Sequence, residues 1–287
     1  MDKSKLACVF QVAYFGPWPD YFPFWARSCI ANATHFKWFL YTDQIRAPRS
    51  LNPAVELIPY SLAQMRREIG QVLNGTVPEC APRKACELRM LLYPARMQAE
   101  QLKPYNYFGY CDIDMVFGNI LEALPADLFQ HSVIGAHEGR PTGPFTMIRT
   151  DCAERLIGSP GLKEAICRSD YGNFDENPQW VDALKSQGAA WLQAAHLQPA
   201  RDGRFIKDRC VAEWTRGGLT VTDGTRAGPA GFFHFGKLKG KRSFRVRRNC
   251  VDADRWRISE HGIYDADSPP WRVKLADLRR RFAPSGS

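Results

Sequence analysis

Tyr107-Phe-Gly-Tyr-Cys-Asp-Ile-Asp-Met-Val-Phe-Gly118 is an apolar, aromatic-rich run that stops on two aspartates one residue apart. It predicts a buried strand that delivers two carboxylates to its carboxyl end. Residues i and i+2 of a strand share a face, so Asp112 and Asp114 point the same way while Ile113 turns into the core. Two hard carboxylate oxygens suit Mg²⁺ or Mn²⁺, ions that usually complete their shell with water and substrate phosphates. The spacing alone is weak evidence: with 18 Asp in 287 residues, about one Asp-x-Asp is expected by chance. Three occur. Asp252-Ala-Asp254 and Asp265-Ala-Asp267 lie among polar, Arg- and Pro-rich residues and read as solvated loops. Only Asp112/Asp114 follows a strand, and open α/β sheets gather ligands at the carboxyl ends of their strands. The competing reading of the pair is an N-cap or a turn, positions that Asp also favours.

Strand and helix signals alternate outward from this run, which predicts an α/β layer architecture. Leu6–Phe15 reads as a first buried strand, and Asp20 is placed to cap a helix reaching about Ala33. Phe36–Thr42 reads as a second strand closing on Asp43, and Val55–Ile58 as a short third. Helices are expected over Leu62–Leu73, Lys84–Gln101, Ile120–Phe129, Cys152–Ser169 and Asn177–Gln187. Strands are expected over Ser132–Ala136 and Phe145–Arg149. A less regular basic tail follows, with a short strand near Gly231–Phe235 and a final helix over Val273–Phe282.

A hydrophobic fraction of 45% over 287 residues is enough for a full core, so global disorder is excluded. No run approaches the ~18 uninterrupted apolar residues of a spanning helix. Lys3 and Lys5 ahead of Leu6–Phe15 imitate a secretory signal, but the run is β-branched and aromatic, contains Gln11 and lacks a small-residue cleavage site. Nine cysteines, with no C-x-x-C pair, give neither a disulfide framework nor a zinc ribbon, and a reducing cytoplasm is expected. The net charge is +9. Lys237–Arg248 holds seven basic residues and no acid, and Arg272–Arg281 adds five more against one acid. Such segments attract phosphates of any kind, including those of an anionic lipid surface.

Tyr14-Phe-Gly-Pro-Trp-Pro-Asp-Tyr-Phe22, Ser28-Cys29, Asn32, Thr42-Asp43, Gly109–Gly118, Phe174-Asp-Glu176 and Phe233-His-Phe235 together resemble a bacterial family of predicted glycosyltransferases with the nucleotide-sugar-binding A (GT-A) fold. The resemblance runs from about Cys8 to Lys239. It implies a mixed, mostly parallel sheet flanked by helices, with a catalytic domain over residues 1–240 and a basic extension over 241–287. It also implies a cytoplasmic, Mn²⁺- or Mg²⁺-dependent transfer of sugar from a nucleoside diphosphate, most readily UDP, to a glycan or lipid-linked acceptor in surface polysaccharide synthesis. The enzyme would rest peripherally on the inner face of the membrane. By the same resemblance the loop after the first strand, Tyr14, Phe15 and Gly16, holds the nucleoside, with Asp43 near the base or ribose. An aromatic ring stacked on a base and a glycine that lets backbone approach are suited to that task.

Arg83-Lys-Ala-Cys-Glu-Leu-Arg89 resembles the family's Lys-Leu-Cys-Asp-x-Lys stretch, with Lys84 and Arg89 expected to clamp the diphosphate; the competing reading is a charged helix face. His234 is expected as the third metal ligand beside Asp112 and Asp114, Asp112 also contacting the donor. His234 begins a segment similar to the His-x-x-Gly-x-x-Lys element of such transferases, with the glycine one position early, and Lys237 and Lys239 are expected on the diphosphate. Asp175 or Glu176 is expected as the base that takes the acceptor hydroxyl's proton; alternatively the two are helix-terminal acids that favour the dipole. His35, His131, His137, His196 and His261 have no partner at metal-site spacing, although His137, Glu138 and Arg140 are placed to touch a sugar. Two rivals remain at this stage. A nucleotidyltransferase would carry a Gly-rich phosphate loop near the N-terminus, where this chain has only Gly16. A non-catalytic nucleic-acid binder would interleave its basic residues with aromatics, whereas here they are concentrated late in the chain, so no nucleic-acid partner is expected.

Overall fold

The structure is a computed structural model that describes residues 3–44, 53–136, 141–194, 210–222 and 227–267. Its frame is a seven-stranded sheet. The first strand, β1 (Cys8–Ala13), lies between β2 (Phe36–Thr42) and β4 (Tyr107–Cys111), and β3 (Val55–Pro59) forms one edge. These four are mutually parallel. Beyond β4 the order continues through β7 (Phe145–Arg149), β6 (Val133–Gly135) and β8 (Trp191–Gln193), with β7 antiparallel to both its neighbours and β8 parallel to β6. The sheet is therefore mixed and mostly parallel, as the sequence predicts.

Side-chain alternation divides the core into two layers. Val9, Phe39, Tyr41, Phe108 and Tyr110 face one side. They pack there against α2 (Leu62–Val72), α3 (Ala85–Leu88), α4 (Leu92–Arg96), α6 (Ala153–Ile157), α7 (Leu162–Ile166) and α8 (Pro178–Ser186). Cys8, Phe10, Val12, Trp38 and Leu40 face the other, against α1 (Phe22–Ile30) and α5 (Ile120–Ala123). Helices on both faces explain why the strands read as continuous apolar runs rather than as alternating ones. The strand order reverses at β1, so the carboxyl ends of β1 and β4 flank a crevice of the kind where open sheets bind ligands.

A two-stranded ribbon carries the chain on from there. The strand β5 (Met115–Phe117) pairs antiparallel with β12 (Phe232–His234), placing His234 opposite Met115. Ser28 and Asn32 on and after α1 hold this ribbon: the Phe117 amide donates to Ser28 Oγ at 3.0 Å, the Ile120 amide to Asn32 Oδ1 at 2.9 Å, and Asn32 Nδ2 to the Gly118 carbonyl at 2.8 Å. Past the ribbon stands a second sheet of six strands. Its order is β11 (Ala227–Pro229), β10 (Gly218–Thr222), β9 (Val211–Thr215), β14 (Arg255–Ser259), β15 (Gly262–Asp265) and β13 (Arg245–Val246). It encloses its own core around the stacked Trp214–Trp256 pair and Ile258 and Ile263. The boundary expected at residue 240 falls between β12 and β13, inside a sheet whose strands come from both sides of it.

Several expected elements are corrected. Asp20 does not cap α1: the N-cap is Tyr21, without a side-chain cap bond, and Asp20 is instead ion-paired with Arg248. The single helix expected over Lys84–Gln101 is broken into α3, a 3₁₀ turn at Arg89–Leu91 and α4. Arg89 there turns inward to bond loop carbonyls. The helix expected over Cys152–Ser169 divides into α6 and α7 around Gly158 and Gly161, the latter in the left-handed region at φ 75°. Ile120–Phe129 holds α5 and then a separate 3₁₀ turn. The basic tail, expected to be irregular, contributes all six strands of the second sheet. The helix expected over 273–282 lies outside the described residues.

Candidate metal and donor site

The strand β4 ends on Cys111, and the chain turns between β4 and β5 through Asp112 and Asp114. The β5–β12 pairing then brings His234 to the same point. One oxygen of Asp112, one of Asp114 and a ring nitrogen of His234 all lie within 4.8 Å of one another. His234 Nε2 is 3.2 Å from Asp114 Oδ1 and 3.5 Å from Asp112 Oδ2. Two ligand atoms at about 2.1 Å from one ion and at right angles would be about 3 Å apart, close to the two separations between His234 and the carboxylates. Gly236 lines the same hollow: a Cβ there would lie 2.6 Å from His234 Nε2 and 2.9 Å from Asp114 Oδ2. The donor set and the cradle both fit a divalent ion, and the sequence expectation of Asp112, Asp114 and His234 as one cluster is met.

Positive charge surrounds the cluster. Lys239 Nζ is 2.5 Å from Asp114 Oδ2 and 3.2 Å from the Tyr21 hydroxyl. Burial alone would raise the Asp114 carboxyl, but the hydrogen bond and charge of His234, with those of Lys239, outweigh it and hold the group well below the usual carboxylate range. For His234 the balance is reversed. Burial pushes its imidazole down, and the Asp114 and Asp112 carboxylates more than restore it, to above its ordinary value. Lys239 is held above its ordinary value, the pull of Asp114 overcoming burial.

Arg89 lies beneath the pair. Its guanidinium is buried and donates to Asp112 Oδ1 at 2.6 Å, to the Cys111 carbonyl at 2.7 Å and to the Gly143 carbonyl at 2.7 Å. The same group is 3.6 Å from Asp175 Oδ2. Arg89 thus reaches the donor site as the support of Asp112 rather than as an open phosphate clamp. Asp175 is 1% exposed, and neither carboxylate oxygen has a hydrogen-bond partner. Burial pushes its carboxyl up to about 7, with Arg89 pulling the other way and Asp112, Glu176 and Glu87 adding to the rise. Glu176 is exposed and accepts from the Gly143 amide at 3.3 Å. Gly143 fits between the two acids: a Cβ there would lie 2.9 Å from Asp175 Oδ2 and 2.9 Å from Glu176 Oε1. The structure therefore brings Asp175 and Glu176 to the metal pair through Arg89 and Gly143.

Lys84 does not join them. It is 1% exposed, ion-paired with Glu87, and donates to the Ala165 and Asp170 carbonyls at 2.9 Å each. Three acceptors satisfy its three donors, so it is a structural lysine and not a diphosphate clamp. Lys237 is exposed and has no ion pair to the cluster among the described residues.

At the end of β1, the Gly16 amide donates to Asp43 Oδ1 at 3.0 Å, joining the first and second strand ends. Gly16 takes φ 115°, and no atom lies within 4 Å of where a Cβ would stand. Burial of Asp43 is outweighed by hydrogen bonds from Gln44 and Gly16, which hold its carboxyl below the ordinary value. Tyr14 is half-buried, stacks on Trp18 at 5.7 Å, and donates its hydroxyl to the Pro17 carbonyl at 2.9 Å. Burial is the main cause of its raised pKa, and the charges of Lys239, Asp114 and Asp43 all act on it. Phe15 packs instead against the main core. The loop of His137, Glu138 and Arg140 lies outside the described residues. Sequence reasoning missed Gly143, which carries no chemistry of its own; it noted Gly236 as the early glycine after His234 and Glu87 as a group that could orient the basic pair, but not the burial of Glu87 or its bonds to the Gly172 and Phe174 amides. The other two Asp-x-Asp pairs are surface features, bonded to Arg27, Arg216 and Arg255.

A search of curated proteins finds no match. Among solved structures, an active-site mutant of LgtC matches with a TM-score of 0.38 and 13% identity, covering 65% of this chain and 72% of that one. At that TM-score the likeness adds nothing to the fold already described. A family model matches residues 10–220, a span that takes in Asp43, Asp112, Asp114, Asp175 and Glu176 and stops before His234. With most of its length matched, the chain belongs to the family of unknown function DUF6625.

Proposed function

We propose that the protein is a metal-dependent glycosyltransferase of GT-A type that moves a sugar from a nucleoside diphosphate, most readily UDP, to a glycan or lipid-linked acceptor. The observation that carries this reading is the convergence of Asp112, Asp114 and His234 at the carboxyl end of the central strand, beside the β1 loop. Mn²⁺ or Mg²⁺ is the ion, and the imidazole nitrogen favours Mn²⁺. When bound, the ion would neutralise charge developing on the leaving diphosphate. Lys239, already next to Asp114, adds a second positive charge at the same place. Tyr14, Gly16 and Asp43 line the nucleoside end.

Asp175 is assigned as the group that accepts a substrate proton, with Glu176 at the exposed side of Gly143. A carboxyl pushed up to about 7 is matched to proton transfer near neutral pH. Neither of its oxygens has a hydrogen-bond partner, and Arg89 stands 3.6 Å from one of them. Lys237, Arg242, Arg245 and Arg247 have no acidic partner among the described residues and follow directly on the metal ligand in sequence. Such a patch is suited to an anionic membrane surface where lipid-linked acceptors of surface polysaccharide would lie. Nothing resembling a glycine-rich phosphate loop occupies the end of β1, which leaves a nucleotidyltransferase without support.

The test is thermal unfolding with UDP, GDP, CDP or ADP, each with Mn²⁺ or with EDTA. A ligand that binds only the folded state, at 100 times its Kd, adds about 2.7 kcal/mol. One diphosphate should raise Tm only with metal, and Asp114→Ala should lose that rise while keeping the fold. An Asp114→Ala protein that still responds to metal and nucleotide would sink the assignment.

A further inference from the structure

We propose that Glu87, ion-paired with Lys84, is a positioning residue that aims the Asp175–Glu176 carboxylates at the metal pair; the inference rests on the glycosyltransferase reading above. The two side chains form an ion pair inside the main core, Lys84 1% and Glu87 0% exposed. Such a pair is a poor source of stability, since desolvating both charges offsets much of their attraction, and an apolar pair of the same volume often does as well. Its use is therefore sought in what the charges hold.

Glu87 Oε1 accepts the amides of Gly172 and Phe174, at 2.7 and 2.8 Å. These amides flank Asn173, which takes the left-handed conformation at φ 56°. Two amides converging on one oxygen around a left-handed residue form an anion-binding nest, and a charged acceptor binds there more strongly than a neutral one. The chain leaves the nest directly into the 3₁₀ turn Phe174–Glu176 that presents both acids. Lys84 fixes the approach to the nest through the carbonyls of Ala165 and Asp170. Two residues past Glu87, Arg89 bonds Asp112 and lies 3.6 Å from Asp175. One short stretch of chain, residues 84–89, thus touches both acid groups of the site, and the Lys84–Glu87 pair sets one against the other.

The experiment compares the wild-type chain with Glu87→Gln and with Lys84→Met/Glu87→Gln, which removes both charges together with the Lys84 bonds to the Ala165 and Asp170 carbonyls. Hydrogen exchange over residues 170–177 is read beside the Mn²⁺-dependent UDP thermal shift and the release of UDP from a panel of UDP-sugars. In both variants exchange at 172–176 should accelerate while that of β1 and β4 is unchanged. Turnover should fall about 10- to 100-fold, the loss expected from a displaced catalytic group. KM for the donor and the UDP shift should stay within about twofold, since the nucleotide is held elsewhere. Unchanged exchange in the double variant overturns the proposal, as does an unchanged kcat, and so does a double variant that fails to fold, which would assign the pair to stability alone. Wild-type protein that shows no metal-dependent shift with UDP, GDP, CDP or ADP and releases no UDP from any donor defeats the glycosyltransferase reading, and the exchange result then decides the bracing by itself.

Discussion

Asp175 is a carboxyl enclosed by protein with no hydrogen bond to either oxygen, and its cost depends on pH. Burial is the largest cause of its rise to about 7, and the neighbouring acids add to it against the pull of Arg89. In the unfolded chain the same group titrates near about 3.9. Between those two values the folded protein keeps a proton that the unfolded chain gives up, so this residue's contribution to stability is fully present below about pH 4 and is lost as pH rises through about 7. The shift corresponds to about 4 kcal/mol at most. Denaturant unfolding in EDTA should therefore show Asp175→Asn gaining on wild type as pH rises from 4 to 8, then levelling. A difference that stays flat across this range would mean that Asp175 is solvated or paired in solution. The same residue shows what cannot be read one position at a time. Asp175 and Glu176 are visible in the sequence as an acid pair, but their division into one buried and one exposed carboxyl comes from Gly143 and Arg89, which approach from distant segments.

The strand β4 depends on Gly109 as much as on its apolar side chains. A Cβ at Gly109 would lie 2.5 Å from the Thr146 carbonyl oxygen of β7 and 2.8 Å from the ring of Phe10 on β1. Gly109→Ala should thus destabilise the protein by about 1–3 kcal/mol, the usual cost of overpacking. This is measurable as a lower urea midpoint with an unchanged slope; a midpoint equal to wild type would mean that β7 can step aside freely. At this scale the sequence was readable where packing is simple. The runs Phe36–Thr42 and Phe145–Arg149 are strands residue for residue, because both are apolar segments bounded by polar or turn residues. Lys84–Gln101 was misread as one helix because composition gives no sign that Arg89 turns inward to satisfy three acceptors. In the second sheet the strands do alternate, as in Val211–Thr215 and Arg255–Ser259. Their outward residues are so charged that the stretch reads as a tail.

The whole molecule joins two sheets through the β5–β12 ribbon, and the metal cluster stands at that junction. His234 is delivered by β12, with Phe232 in the main core and Phe233 in the core of the second sheet. A chain ended after Gly240 would keep all three ligands but lose β13, β14 and β15. The strand β9 would lose its partner β14, and Trp214 would lose the stacked ring of Trp256. Trp256, Ile258, Ile263 and Tyr264 are each no more than 2% exposed. At about 1.5–3 kcal/mol for each large apolar side chain removed from the core, their loss approaches the entire stability of a typical domain. Residues 1–240 alone should therefore be cleaved rapidly by protease within 210–240. They should also show no metal-dependent nucleotide shift, because β12 would no longer be held between two cores. A 1–240 fragment that unfolds cooperatively and binds Mn²⁺ and UDP as the full chain does would instead establish a catalytic domain ending at residue 240, with the last three strands as a dispensable addition.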